Sequence, residues 1–204
     1  MEFVAIHLQK YGRSAYAKTM GFFSPQMTPT LFFLDFWAYP PIILLSIILG
    51  YITGSQSAWW HPLAFFLSGY GVWTLVEYVM HRFILHHVPG IVEHHMAHHA
   101  DALELIGTPT IYSITLLIIL AYAPMAAVAG YANACFWFAG MALGYLAFAA
   151  VHYVIHHNSA ENSIILRKLK RMHAIHHYGK SDYNFGVTTL VWDRVFGTYS
   201  STMR

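Results

Sequence analysis

Four stretches of the chain, 31–53, 62–80, 111–130 and 132–151, are apolar almost without interruption. Each approaches or exceeds the roughly 20 residues a helix needs to cross a bilayer core of about 30 Å. In hydrocarbon every backbone N–H and C=O must be satisfied within the segment, so these stretches predict four transmembrane helices and an all-α fold. Only 10% of residues are Asp, Glu, Lys or Arg and 57% are apolar, where soluble domains carry about a quarter charged. With a mean hydropathy of +0.45 and a net charge of only +2, a disordered chain and a nucleic-acid binder are excluded. A buried soluble bundle is the weaker alternative. The length of 204 residues suits one membrane-embedded domain, 1–204, with no room for a separate large cofactor-reduction domain. The single Cys135 excludes an intramolecular disulfide and any multi-cysteine zinc site.

Details within the apolar runs carry further expectations. Asp35 and the Pro40-Pro41 pair predict irregular or interfacial opening turns for the first. Thr108-Pro109 is a start signal for the third, and Pro124 predicts a kink in it. The fourth carries Gly140 and Gly144 among alanines, a pattern that lets helix backbones approach closely in lipid. Residues 1–10 place Glu2 before any basic residue and lack a compact apolar region, so no cleavable signal peptide is expected and 1–30 reads as a juxtamembrane or interfacial segment.

Charge sets an orientation. If all four runs span, then Lys10, Arg13, Lys18, Arg82, Arg167, Lys168, Lys170, Arg171, Lys180, Arg194 and Arg204 all fall on one side, and these are the eleven Lys and Arg residues of the chain. The positive-inside rule makes that side the cytoplasm. Both termini, with a cap formed by 81–108 and 152–204, are expected there. The basic cluster at 167–171 is expected to meet anionic headgroups.

Thirteen of the fifteen histidines lie in three short segments, 81–99, 152–157 and 173–177. Each begins at or just past the cytoplasmic end of a run. His95, His98 and His99 read H-x-x-H-H, as do His173, His176 and His177. Positions i, i+3 and i+4 share a helix face, so such imidazoles can converge. His152 and His156 stand one turn apart. His81 and His86 are five apart, and meet at one site only if the helix ends or bends between them.

These ten rings are too many for one ion, since four satisfy a structural zinc; two ions with about five nitrogens each fit better. A single cysteine disfavours an iron–sulfur cluster, which is held by several thiolates, and no Glu-x-x-His pair of the carboxylate-bridged type occurs. A pH-sensing patch or an adventitious metal tract is the bland alternative, but a tract is contiguous. His7 and His61 read as ordinary surface or interfacial side chains. An all-imidazole site is strongly positive, so carboxylates that orient and compensate it are expected among Glu77, Asp101, Asp182 and Asp193, with Glu77 foremost because it lies at the membrane end of a run. His87, His94 and His157 fall outside the repeated spacing and are the weaker candidates for ligation, otherwise lying behind the ligands or facing solvent.

Glu77-Tyr78-Val79-Met80-His81-Arg82-Phe83-Ile84-Leu85-His86 resembles the H-R-x-x-x-H segment of the fatty acid hydroxylase superfamily. The two H-x-x-H-H boxes, His152–His156, and Asn184-Phe185-Gly186-Val187-Thr188-Thr189 followed by Val191-Trp192-Asp193-Arg194-Val195-Phe196-Gly197-Thr198 keep the same order. Gly144-Tyr145-Leu146 before His152-Tyr153, and His176-His177-Tyr178 before Phe185-Gly186-Val187-Thr188, are most similar to the fatty acid 2-hydroxylase branch. The resemblance implies four spans beneath a cytosolic helical cap holding a dinuclear site, with those ten histidines as ligands. It implies two iron ions (zinc in a recombinant form) and O2 as cofactors, and oxygen insertion at the 2-position of a fatty acid or fatty acyl amide. The partners it implies are a membrane lipid and a separate haem or iron–sulfur electron donor. A sterol or carotenoid oxidase, or a desaturase, shares the ligands. A non-enzymatic metal transporter or sensor would need ionisable residues deep in the spans, and 111–130 has none.

Overall fold

The computed structural model describes residues 27–54, 58, 60–179 and 181–203. The expectations for 1–26, including Lys10, Arg13 and Lys18, and those for Lys180 and Arg204, lie outside the described residues. The secondary structure of the described residues is all helical: α1 (Pro29–Thr53), α2 (Trp60–Val79) continuing into a π-helical segment (Met80–Leu85), α3 (Val92–Ala100), α4 (Thr110–Leu117), a second π segment (Ile118–Tyr122), α5 (Ala123–Ala129), α6 (Tyr131–His157), α7 (Ile164–Tyr178) and the short α8 (Val191–Val195). Among the described residues, four continuous stretches are long and apolar enough to cross a membrane: Pro29–Thr53, Trp60–Leu85, Thr110–Ala129 and Tyr131–His157.

The chain divides into two compact units. One comprises Pro29–Glu77 and Thr108–Val151, and the other contains Tyr78–Gly107 and His152–Arg204. In the first, backbone contact between helices is set by glycine. A Cβ added at Gly140 of α6 would lie 2.0 Å from the Phe66 carbonyl oxygen of α2, and one at Gly69 of α2 would lie 2.1 Å from the Trp137 carbonyl oxygen. Gly144 admits the Trp73 ring in the same way. The small-residue stripe of the fourth run is therefore a packing face.

Hydroxyls and one carboxylate tie the same unit together. Asp35 is buried and accepts from Thr110 Oγ1 and from the Tyr145 hydroxyl, each at 2.6 Å. The Tyr39 hydroxyl donates to Ser113 Oγ at 2.8 Å, and Ser46 Oγ donates to the Cys135 carbonyl at 2.8 Å. Around these bonds Tyr39, Leu117, Ala121, Phe138, Met141, Ala142 and Tyr145 form the apolar core. A lone carboxylate in lipid is costly unless paired or hydrogen-bonded, and Asp35 is doubly bonded.

Two proline expectations resolve differently. The opening turns of α1 are regular: the helix passes through Pro40 and Pro41 without a break, as membrane helices tolerate when neighbours re-satisfy the freed carbonyls. At Pro124 the ring has no N–H to offer, and the chain takes up the loss by widening to the π turn Ile118–Tyr122 immediately before it.

Candidate metal centre

Every residue of the centre belongs to the unit containing Tyr78–Gly107 and His152–Arg204. The π segment Met80–Leu85 answers the spacing problem of the first histidine pair. In a π turn the bond runs from i to i+5, so residues five apart come round to nearly the same face. The rings of His81 and His86 accordingly lie 5.2 Å apart.

The helix α3 starts after a turn at Gly90 (φ +85°), whose N–H donates to the Glu93 carboxylate at 2.7 Å, and delivers His95, His98 and His99, all buried. The last turn and a half of α6 carries His152 and His156. Ser163 caps α7 by accepting from the Leu166 N–H. This helix buries Leu169, Met172 and Ile175 beside His173 and His176, and turns Arg167, Lys168 and Arg171 to solvent.

The ten rings form two groups of five: His81, His86, His95, His99 and His176 in one, and His98, His152, His156, His173 and His177 in the other. Within each group one ligating atom from every residue lies within 4.8 Å of all the rest. The boxes do not each serve one group. On α3, His95 and His99 face the first group while His98 faces the second; on α7, His173 and His177 face the second while His176 crosses to the first. The i,i+4 pair stays together because it is offset by only about 40° around the helix, whereas the i+3 position lies about 100° from i+4. Each group thus draws on both helices, and the groups adjoin: the His99 ring stacks on that of His177 at 4.1 Å.

The nitrogens meet end to end. In the first group Nε2 of His95 lies 3.1 Å from those of His81 and His86 and 3.2 Å from that of His99, and His86 Nε2 is 3.0 Å from His176 Nε2. In the second, Nε2 of His152 is 3.2 Å from His98, 3.1 Å from His173 and 3.1 Å from His156. Around an ion at about 2.0–2.1 Å from each nitrogen, such spacings of 2.9–3.2 Å subtend roughly 90–100°, the angle between neighbours in five-fold coordination.

Protonation states agree. Burial, reinforced by neighbouring imidazoles, holds His95, His173, His176 and His177 well below the usual histidine range. The same causes push His98 down to about 3 and His99 to about 2. His86 goes to about 4, through burial and then His87, against the opposing charge of Asp182. Neutral rings with converging lone pairs need a cation. Among the described residues, neither nitrogen of the His177 ring has a hydrogen-bond partner although both are buried. The donor set fits one imidazole-bound transition-metal ion per group.

The segment 183–186 fixes two of these rings. His81 Nδ1 lies 2.5 Å from the Phe185 carbonyl oxygen, and His176 Nδ1 lies 2.8 Å from that of Tyr183. Donation to the carbonyls leaves the Nε2 lone pairs free. Between them sits Asn184, fully buried with φ +56°. Its amide donates to the Ser200 and Met172 carbonyls and accepts from the Ser200 N–H. Asp193 accepts from the N–H groups of Phe185 (2.8 Å) and Gly186 (2.9 Å) and from Thr198 Oγ1 (2.8 Å). A Cβ at Gly186 would lie 2.0 Å from the Thr189 carbonyl.

The other expected orienting groups are placed less centrally. Glu77 is buried one turn before His81, His94 is half-buried, and His87, Asp101, His157 and Asp182 are exposed. The Asp101 carboxylate accepts from the Leu103 N–H, and His157 stacks on Tyr153. Sequence reasoning missed the carbonyls of Tyr183 and Phe185 and the side chain of Asn184. Main-chain acceptors leave no residue-type signal, and the only pointer was the N-F-G-V-T-T motif around them.

Four apolar helices of spanning length and two five-histidine groups are the marks of a class, the histidine-box membrane proteins. The sequence model described as fatty acid hydroxylase matches residues 65–198, and the chain belongs to that family. It is 30% identical over 211 residues to the ceramide very long chain fatty acid hydroxylase of Saccharomyces cerevisiae, covering 95% of this chain and 52% of the relative. It is 30% identical over 195 residues to a dihydroceramide fatty acyl 2-hydroxylase of Arabidopsis thaliana, covering 85% and 81%. A solved structure of full-length scs7p, with only its hydroxylase domain visible, superposes with a TM-score of 0.70 at 28% identity, over 83% of this chain and 66% of the other. The chain spans about half the length of the yeast relative.

Proposed function

We propose that this protein is an O2-dependent di-iron hydroxylase of membrane lipid acyl chains, acting at the 2-position of a fatty acid or fatty acyl amide. The observation that carries the metal reading is the pair of five-imidazole groups with end-to-end Nε2 contacts. His81, His86, His95, His99 and His176 hold one ion, and His98, His152, His156, His173 and His177 hold the other. The family, and the 2-hydroxylases among its relatives, support the choice of reaction. With two external electrons and two protons, the pair of irons supplies the reduction of O2 that puts one oxygen atom into a C–H bond and the other into water.

The chain's own residues provide the rest. Buried neutral imidazoles keep protons away from the metal-binding nitrogens, and the carbonyls of Tyr183 and Phe185 hold two rings in the tautomer that ligates through Nε2. The Phe185 ring, 5.3–5.8 Å from those of His81, His86 and His176, shields that group from water. His81, His152 and His156 lie in the last turns of apolar helices, which suits a substrate whose tail stays in the bilayer. The described basic residues, Arg82, Arg167, Lys168, Lys170, Arg171 and Arg194, all belong to the same unit as the ten histidines, which supports a cytoplasmic site by the positive-inside rule; a separate haem or iron–sulfur protein would supply its electrons.

The test is acyl-chain analysis of cells with and without the protein, together with metal content after anaerobic purification. The expected result is 2-hydroxylated acyl chains and two irons per chain, both lost in His176→Ala and His98→Ala. Full hydroxylation by either variant overturns the ligand assignment, and oxidised sterols or carotenoids without 2-hydroxy acids overturn the substrate.

A further inference from the structure

The two five-histidine groups are supported unequally. In the first, His81 and His176 each hand their Nδ1 proton to a main-chain carbonyl, and both carbonyls come from one three-residue stretch, Tyr183 and Phe185 flanking Asn184. In the second, the Nδ1 atoms of His98, His173 and His177 are buried with no hydrogen-bond partner among the described residues, whereas in the first only that of His95 is so placed among the described residues. A ligand whose second nitrogen is anchored keeps its orientation and is a stronger donor. Loss of such an anchor costs a metal site roughly 10–100-fold in affinity.

The anchoring stretch is itself held from behind. The N–H groups of residues 184, 185 and 186 are all engaged: the first donates to the Thr198 carbonyl at 2.8 Å, and the other two donate to the Asp193 carboxylate. Thr198 Oγ1 joins that carboxylate and is bonded in turn to the Tyr78 hydroxyl at 2.9 Å, which receives Arg82. Asp193 is fully buried and lies four covalent or hydrogen-bonded links from the His81 ring, with no ring contact of its own. Its three donors require an acceptor at both oxygens, which an amide cannot provide.

We propose that Asp193 is a positioning residue for one ion only: by locking 183–186 it pre-organises the group around His81 and His176, which binds its ion more tightly and fills first, while the group around His152 and His173 fills second. This inference rests on the dinuclear reading above.

The experiment is a stepwise titration of metal-free, detergent-solubilised full-length protein with Co2+, followed by its visible ligand-field bands and by calorimetry. The wild type takes up two ions in two steps; His176→Ala abolishes the tighter step and His156→Ala the weaker. Asp193→Asn weakens the tighter step 10–100-fold and alters its bands, leaving the weaker step unchanged, which a general loss of folding would not do. Asn184→Gly keeps the left-handed backbone accessible while removing the side-chain bonds, and gives the same selective loss if Asp193→Asn does not fold. The inference falls if His176→Ala removes the weaker step, or if both steps weaken equally in Asp193→Asn. It also falls if Asp193→Asn leaves the tighter step within twofold of wild type. Uptake of fewer than two ions by the wild type overturns the dinuclear reading itself, and the inference with it.

Discussion

Replacing Gly140 by alanine sets two effects of opposite sign against each other. On helix propensity alone the change stabilises α6 by about 1 kcal/mol, because glycine is the poorer helix former. The structure predicts the reverse. The added Cβ would sit 2.0 Å from the Phe66 carbonyl oxygen and 2.9 Å from the Tyr70 nitrogen, so ordinary contact near 3.4 Å requires α2 and α6 to separate by roughly 1.4 Å. Both neighbours are backbone, which no rotamer change moves. Overpacking of this kind costs typically 1–3 kcal/mol, more than the propensity gain, and each kcal/mol lowers Tm by about 2–4 °C in a chain of this size. Gly71 is the control within α2: nothing lies within 4 Å of its added Cβ, so Gly71→Ala should hold or raise Tm. Melting both variants in detergent, followed by circular dichroism, decides the matter. A Gly140→Ala protein at least as stable as the wild type would refute the account of the α2–α6 contact.

Asp35→Asn should cost about 1–3 kcal/mol, since one of the two hydroxyls that now meet carboxylate oxygens would face an amide donor; denaturation in mixed micelles reads this, and an unchanged midpoint contradicts it. Metal-free protein should lose stability in mild acid. Its His86, His98 and His99 have folded pKa values of about 4, 3 and 2 against about 6.5 when unfolded, so below pH 6.5 the unfolded state binds more protons. For these three rings stability falls by about 4 kcal/mol per pH unit between pH 6 and 4. It is fully present above pH 7, and equilibrium unfolding that is flat from pH 7.5 to 5 would count against buried neutral rings. Gly186→Ala, whose Cβ meets the Thr189 carbonyl at 2.0 Å, should lower Tm and weaken metal retention together on dialysis against chelator; loss of neither would show the 183–186 turn to be adaptable.

Much of the molecule is legible along the chain because its two main constraints are local. A run such as 132–151 has one low-energy answer in lipid, a helix, whatever its neighbours do. Imidazoles at 95, 98 and 99 or at 173, 176 and 177 share a helix face by period alone. The same locality explains the misreadings. Pro40 and Pro41 suggested an irregular start to α1, but the cost of a proline depends on what else satisfies the freed carbonyls. Pro124 suggested a kink, and what the local pattern does not foretell is the π turn Ile118–Tyr122 just ahead of it.

The sequence by itself determined that four apolar helices form and that ten imidazoles gather where helices end, since hydropathy and helical period are properties of short stretches. Only the tertiary structure decided how the ten divide. His98 leaves its box neighbours and His176 leaves its own, because the assignment depends on where two helices far apart in the chain face each other. The π turn that turns His86 toward His81, and the carbonyls of Tyr183 and Phe185 that fix His176 and His81, were decided there as well. Main-chain geometry has no letter in the sequence, and packing between distant segments sets it.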